Sequence, residues 1–185
     1  MEIRKFRPET PVPRSVPNPT EGVMTPFKLD ESVITLLLER MKDEYSAHFY
    51  YRAAANWCGN KNYKKAAVFF DGESSSELDH AKSLQKYLTD WNVDFQIPSA
   101  PTEHQFENLV DIINGAYQME FELLNQYNST SANVFAKDLS TFDFLQDLRK
   151  GQVSAVTEYS DLLNALNLID YNDKFQILYF EQTYF

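Results

Sequence analysis

Four residues able to hold a cation interrupt otherwise apolar helical stripes: Glu44, Glu77, His80 and Glu120. Read at helical spacing, the first stripe is Leu37, Met41, Glu44, then His48 or Ala47, Tyr51 and Ala55. The second is Phe70, Glu73, Glu77, His80, Leu84 and Leu88, and the third is Leu109, Ile113, Ala116, Glu120, Leu123 and Tyr127. A fourth, Leu145, Leu148, Gln152, Ala155, Tyr159 and Leu166, carries Gln152 at the corresponding height. A single mid-helix glutamate ordinarily faces water, and one Glu-x-x-His pair such as Glu77 and His80 arises readily by chance. Neither accounts for all four residues falling on the apolar face of their helix, near its middle. Buried carboxylates that converge repel one another and cost several kcal/mol each unless cations lie between them. A metal pair resolves that conflict, and oxygen donors with one imidazole suit divalent cations of the first transition row.

Placing these groups together requires four long helices. The first is expected from Asp30, a suitable N-cap, to about Cys58, with Gly59-Asn60 as its stop. The second is expected from about Asn62 to Trp91, and Pro98 and Pro101 then mark a long connection. Thr102-Glu103 is expected to open the third, which runs to about Asn128, and a polar break at Ser129-Thr130-Ser131 precedes a fourth helical region ending near Asp170. Short turns join the first two and the last two helices. A single long crossover between second and third is a mark of ferritin-like bundles.

Composition bounds the rest. The 185 residues suffice for one domain with a full core. Six of the eight prolines fall within the first 26 residues, so 1–28 is expected to be an extended proline-rich arm, 29–170 the all-α bundle, and 171–185 a short helix or tail. One cysteine, Cys58, excludes an intramolecular disulfide framework and fits a reducing cytoplasm. No apolar run spans a bilayer and no secretory signal is evident, so a soluble cytoplasmic protein is expected. A net charge of −10 argues against nucleic-acid partners and suits metal cations. The 14 Phe and 11 Tyr exceed what one bundle core readily absorbs, which is consistent with large contacts between subunits.

With these residues in view, the sequence resembles the non-haem ferritins of the bacterial type over roughly residues 30 to 182. EYSAHFYYRAAANW, residues 44–57, resembles the family's first-helix motif, which makes Glu44 a ligand of the first iron, Tyr51 a tyrosine beside the site, and Trp57 the residue that often closes the helix. FFDGESSSELDHAKSLQKYL, residues 69–88, is similar to the second-helix motif, in which Glu77 bridges both irons and His80 binds the first. AYQME, ending at Glu120, matches the ligand of the second iron. TFDFLQDLRKGQ, residues 141–152, places Gln152 beside that iron, and LYFEQ, residues 178–182, looks like the approach to a short fifth helix. The resemblance implies two irons per subunit, oxidation of Fe(II) by dioxygen, and a homo-oligomeric 24-subunit cage holding a ferric mineral. It makes Glu44, Glu77, His80, Glu120, Gln152 and Tyr51 the expected catalytic set.

Departures from the family sharpen the expectation. Where bacterioferritins and rubrerythrins repeat Glu-x-x-His on the last helix, this chain has Gln152 and Ala155, which implies an asymmetric site with fewer ligands on its second iron. Leu78 stands where a haem-binding relative has methionine, so no haem is expected. Ser76, Gly151 and Ala155 occupy the positions of a third iron site, and Ser76 and Lys82 those of inner-surface carboxylates, leaving Asp79 nearest; mineral nucleation is less secure than oxidation. Glu73 is open to a part in iron entry or a surface role. His48 and His104 are assigned to structure or surface, and Cys58 to helix-end packing. Two rival readings are a shell or adaptor subunit that docks a partner through its proline-rich arm, and a di-iron oxidase of an organic substrate.

Overall fold

The computed structural model describes residues 25–185. The arm expected over 1–28 therefore lies almost wholly outside the described residues. The described chain is all-α, with α1 Glu31–Asn60, α2 Lys64–Asp90, α3 Leu109–Phe135, α4 Leu139–Leu166 and a short α5 Lys174–Tyr184. The first four form a bundle about 45 Å long at 1.5 Å per residue. Contacts between α1 and α2 pair rising with falling numbers, as in Tyr45 with Gln85 and Arg52 with Asp71, so the two are antiparallel. The same holds for α1 with α3 through Arg40 to Gln126 and Tyr50 to Ile112. Hence α2 and α3 run parallel, and residues 91–108 form the long crossover between them. No helix of the described residues is long and apolar enough to cross a membrane.

Local chemistry sets most helix ends. Asp30, Asn108, Asp138 and Asp173 each accept a backbone N–H of their helix's first turn, caps worth about 1 kcal/mol apiece. α1 runs through Gly59 and turns out at Asn62, whose φ of 66° is left-handed, while Tyr63 N–H returns to Cys58 carbonyl at 3.0 Å. Asn92, with φ of 56°, ends α2 the same way, Val93 N–H bonding Leu88 carbonyl at 3.1 Å. Asparagine tolerates this region because its short polar side chain bonds locally.

The third helix departs most from expectation. It starts at Leu109 rather than near Thr102, because Asn108 Oδ1 takes Asp111 N–H at 2.9 Å while Asp111 Oδ2 takes Glu107 N–H at 3.2 Å, a reciprocal cap. The polar stretch Ser129-Thr130-Ser131 is not a break but lies inside α3, with Thr130 buried and its hydroxyl 3.2 Å from Arg40 Nη1. A partner across the bundle removes the local competition by which serine and threonine weaken helices.

Leu37, Met41, Phe70, Leu84, Leu88, Ile113, Ala116, Leu145 and Tyr159 from the four stripes are all completely buried. Each large apolar side chain so buried stabilises by about 1.5–3 kcal/mol against exposure. Of the two alternatives on the first stripe, Ala47 takes the core position. His48 turns aside, its Nδ1 lying 2.7 Å from the Ser74 carbonyl and pinning α1 to α2. Tyr63, the residue at the N-cap of α2, offers no side-chain cap. Glu181 of α5 substitutes: fully buried, its Oε1 accepts the N–H groups of Lys65 at 2.7 Å and Ala66 at 3.1 Å.

Candidate metal centre

Each helix of the bundle brings one polar residue to a common level in the core: Glu44 from α1, Glu77 from α2, Glu120 from α3 and Gln152 from α4, none more than 4 % exposed. His80 follows Glu77 by one turn and stands at the edge of the group, half-buried. Glu44, Glu77 and His80 each offer a ligand atom, and these three atoms lie within 4.8 Å of one another. His80 Nδ1 is 3.0 Å from Glu77 Oε2 and 3.5 Å from Glu44 Oε2.

Glu120 joins from the opposite side. Its Oε1 accepts the Tyr51 hydroxyl and its Oε2 the Gln152 amide, which also donates to the Glu120 carbonyl at 3.2 Å. Tyr51 is wholly buried, stacked between Phe70 at 6.1 Å and Tyr159 at 6.0 Å. On α3, the Tyr127 hydroxyl donates to Glu44 Oε1. The remaining Glu44 oxygen, Oε2, is buried without a hydrogen-bond partner. The His80 ring stands next to it, with Nδ1 at 3.5 Å, and a cation beside that oxygen would supply the partner that no hydrogen bond does.

The electrostatics say the same. Burial pushes Glu77 well above the usual carboxylate range, and the charge of Glu44 adds to the push. Burial also lifts Glu120 to about 7, against the hydrogen bonds of Tyr51 and Gln152, with Glu44 and Glu73 reinforcing the rise. For Glu44 burial acts upward too, but His80 and Glu77 beside it prevail and hold it low. Burial alone would lower His80; Glu44 and Glu77 outweigh it and raise the imidazole to about 10. Without metal, the raised Glu77 carboxyl and the raised His80 imidazole both favour their protonated forms. Three carboxylates, an imidazole and an amide at one level form a donor set that fits hard cations of the first transition row.

The other residues singled out in the sequence fall as follows. Glu73 is half-buried outside the ligand group, with Tyr159 hydroxyl donating to its Oε2 at 3.3 Å. Burial raises Glu73, and the charge of Glu158 adds to it. His104 lies in the crossover, its ring 5.3 Å from that of Tyr50. Trp57 stacks on Tyr63 at 6.0 Å at the α1–α2 turn, and Cys58 is buried beside them, its thiol pushed by burial to about 12. Two groups escaped the sequence reading. Arg40 is buried on α1, bonded to Gln126 at 3.1 Å, Thr130 at 3.2 Å and Asp43 at 2.7 Å, and a single arginine on a stripe gives no sign of that. Tyr127 stood on the third stripe, but only its distance from Glu120 hinted at a polar task. Between α1 and α3, Asp43, Ser46, Gln118, Glu122 and Gln126 line a hollow whose walls are sequence neighbours of Glu44 and Glu120.

Comparison with known proteins agrees. Residues 34–169 match the family model described as Ferritin, ferritin-like domain. A bacterial non-haem ferritin of Campylobacter jejuni is 34% identical over 121 residues, covering 64% of this chain and 72% of that protein. A probable bacterial non-haem ferritin-like protein of Haemophilus influenzae is 29% identical over 150 residues, 79% of this chain and 90% of the relative. Among solved structures, an open-pore ferritin from the archaeon Archaeoglobus fulgidus superposes with a TM-score of 0.74 at 18% identity, over 84% of this chain and 96% of that one, a likeness of fold. With the bundle, the crossover and the buried carboxylates in agreement, the chain belongs to the ferritin family and within it to the non-haem bacterial ferritins.

Proposed function

We propose that this chain is a ferroxidase subunit of an iron store: it oxidises Fe(II) to Fe(III) with dioxygen at a two-iron centre and retains the ferric product as mineral inside a homo-oligomeric cage of 24 copies. The observation that carries this reading is the buried cluster of Glu44, Glu77 and His80, whose ligand atoms lie within 4.8 Å of one another and in which Glu44 Oε2 has no hydrogen-bond partner. In this proposal Glu44 and His80 hold the first iron, Glu77 bridges, and Glu120 holds the second, with Gln152 beside it. Iron and dioxygen are the substrates: each Fe(II) would give one electron, so a pair would reduce one dioxygen by two electrons, with two protons, to hydrogen peroxide.

The chain's own groups carry the protons. An incoming cation competes with the protons that Glu77 and His80 favour, since a ligating carboxyl must be ionised and a ligating imidazole neutral. Carboxylates then favour the ferric product, because hard anionic oxygen binds the higher charge more strongly. Tyr51 donates to Glu120 and sits against the site as a hydrogen-bond partner or electron donor. The functional unit is taken as 29–170, followed by 171–185 with its short helix α5. Leu168, just before that last segment, and Tyr171, Phe175 and Tyr179 within it are more than half exposed, which supports contacts between subunits. A cytoplasmic setting, no haem and no nucleic-acid partner complete the proposal.

Anaerobic Fe(II) titration of the full chain, followed by air, tests it. Wild type binds about two Fe(II) per chain ahead of any further iron and oxidises them rapidly. Glu77→Ala weakens both sites together, His80→Ala chiefly the first and Glu120→Ala the second. Wild-type stoichiometry and rate in a folded Glu77→Ala protein would overturn the assignment.

A further inference from the structure

We propose that Tyr127 is a positioning residue of the first metal site: its hydroxyl holds Glu44 Oε1, so that Glu44 meets the metal through Oε2 alone. This rests on the proposed function, and it assigns a task to a residue that composition and motif left as core.

Its basis is a reciprocal arrangement between two antiparallel helices. Glu44 and Tyr51 stand seven apart on α1, and Glu120 and Tyr127 stand seven apart on α3. Seven residues are close to two helical turns, so each pair lies on one face. Antiparallel packing then sets each glutamate opposite the other helix's tyrosine: Tyr127 donates to Glu44 Oε1 and Tyr51 to Glu120 Oε1. All four residues are completely buried. Neither carboxylate has water as an alternative partner for the oxygen its tyrosine holds.

The two halves differ in one respect. Glu120 has both oxygens engaged, Oε1 by Tyr51 and Oε2 by Gln152. Glu44 has one engaged, by Tyr127, and the other free of hydrogen bonds, with His80 Nδ1 3.5 Å away. The Tyr127 hydroxyl is therefore the group that decides which Glu44 oxygen remains for a metal. Without it, both oxygens of Glu44 would turn equally to the cation, and the carboxylate would bind through two atoms in place of one. A buried tyrosine with a merely structural task would stabilise the bundle yet leave the two metal sites equally affected by its loss.

Anaerobic titration with Co(II), followed by its visible absorption, reads the two sites without turnover, and difference infrared spectra read the carboxylate binding mode. In Tyr127→Phe, which removes one oxygen and keeps the ring, affinity at the Glu44 site falls about 10- to 100-fold, as expected for loss of a hydrogen-bond partner behind a ligand. The second site keeps its affinity. The spacing between the carboxylate stretching bands narrows, as binding through two oxygens requires. Tyr51→Phe gives the mirror pattern, with the second site weakened. Tyr87→Phe, which removes a hydroxyl 3.0 Å from Thr141 Oγ1, roughly three helical turns from Gln152, changes neither site. Should Tyr127→Phe not fold, Tyr127→Leu repeats the test without the ring. Wild type binding fewer than two Co(II) per chain would sink the two-metal reading itself. Two Co(II) in wild type with unchanged or evenly weakened sites in the Tyr127 variant would overturn this inference alone.

Discussion

Glu120→Gln in metal-free protein is the most discriminating perturbation of the site's electrostatics. Glu120 is fully buried, and burial, aided by the charges of Glu44 and Glu73, holds its carboxyl near 7 where an unperturbed one titrates at 4.5. A carboxyl raised in the folded state contributes stability that is fully present below its unfolded value and is lost as pH rises through its folded one. The separation of 4.5 from about 7 corresponds to about 3 kcal/mol, lost from wild type between pH 4.5 and 8. Glutamine cannot ionise and escapes that loss. It keeps the Tyr51 hydrogen bond through its amide oxygen, but Gln152 must turn over and gives up its 3.2 Å bond to the Glu120 carbonyl, a constant cost of about 1 kcal/mol. Thermal melts of chelator-treated protein at a series of pH values measure the difference. The variant should be slightly less stable than wild type at pH 4.5 and about 2 kcal/mol more stable at pH 8.5. The change across that span is about 6–12 °C in relative Tm, at about 2–4 °C per kcal/mol for a domain of this size. A difference that stays flat with pH would show that Glu120 does not carry the charge penalty of the site.

Metal affinity should run the opposite way with pH. Glu120 must lose its proton to ligate, so Co(II) binding at the second site should weaken about tenfold per unit as pH falls below 7, measured by titration at pH 5.5, 6.5 and 7.5. Gly115→Ala would drive a Cβ into the Tyr50 ring, 3.2 Å from Cζ and closer still to the hydroxyl that bonds the Ile112 carbonyl at 2.7 Å. A loss of about 1–3 kcal/mol is expected in urea melts, and Tyr50→Phe in the same chain should recover part of it. Glu181→Ala uncaps α2 and releases α5, costing about 1–2 kcal/mol and exposing the C-terminal segment to protease before the bundle melts; a C-terminus as resistant as wild type would refute the capping role.

How much of this was legible in the sequence varies by residue. Apolar periodicity alone located the four stripes and put Glu44, Glu77, Glu120 and Gln152 on them near mid-helix, because a 3.6-residue period read along one helix is local information. The long crossover followed from Pro98 and Pro101, and the Asp30 cap from its own side chain. Helix ends were read less well where a distant partner decides them: Thr130 remains helical because Arg40 reaches it from α1, and Tyr63 opens α2 uncapped because Glu181 arrives from α5.

Pairing across helices was beyond the sequence for the same reason. The seven-residue spacing of Glu44 with Tyr51 and Glu120 with Tyr127 was present in the chain throughout. Only antiparallel packing of α1 on α3 made each tyrosine the partner of the other helix's carboxylate. Likewise, the choice between Ala47 and His48 turned on Ser74 of α2, whose carbonyl draws the imidazole out of the core. The sequence by itself determined which residue types stand on which face, since that depends on the helical repeat. The tertiary structure decided which oxygen of Glu44 is held and which is left for a cation, since that depends on groups more than eighty residues away meeting in a space from which water is excluded.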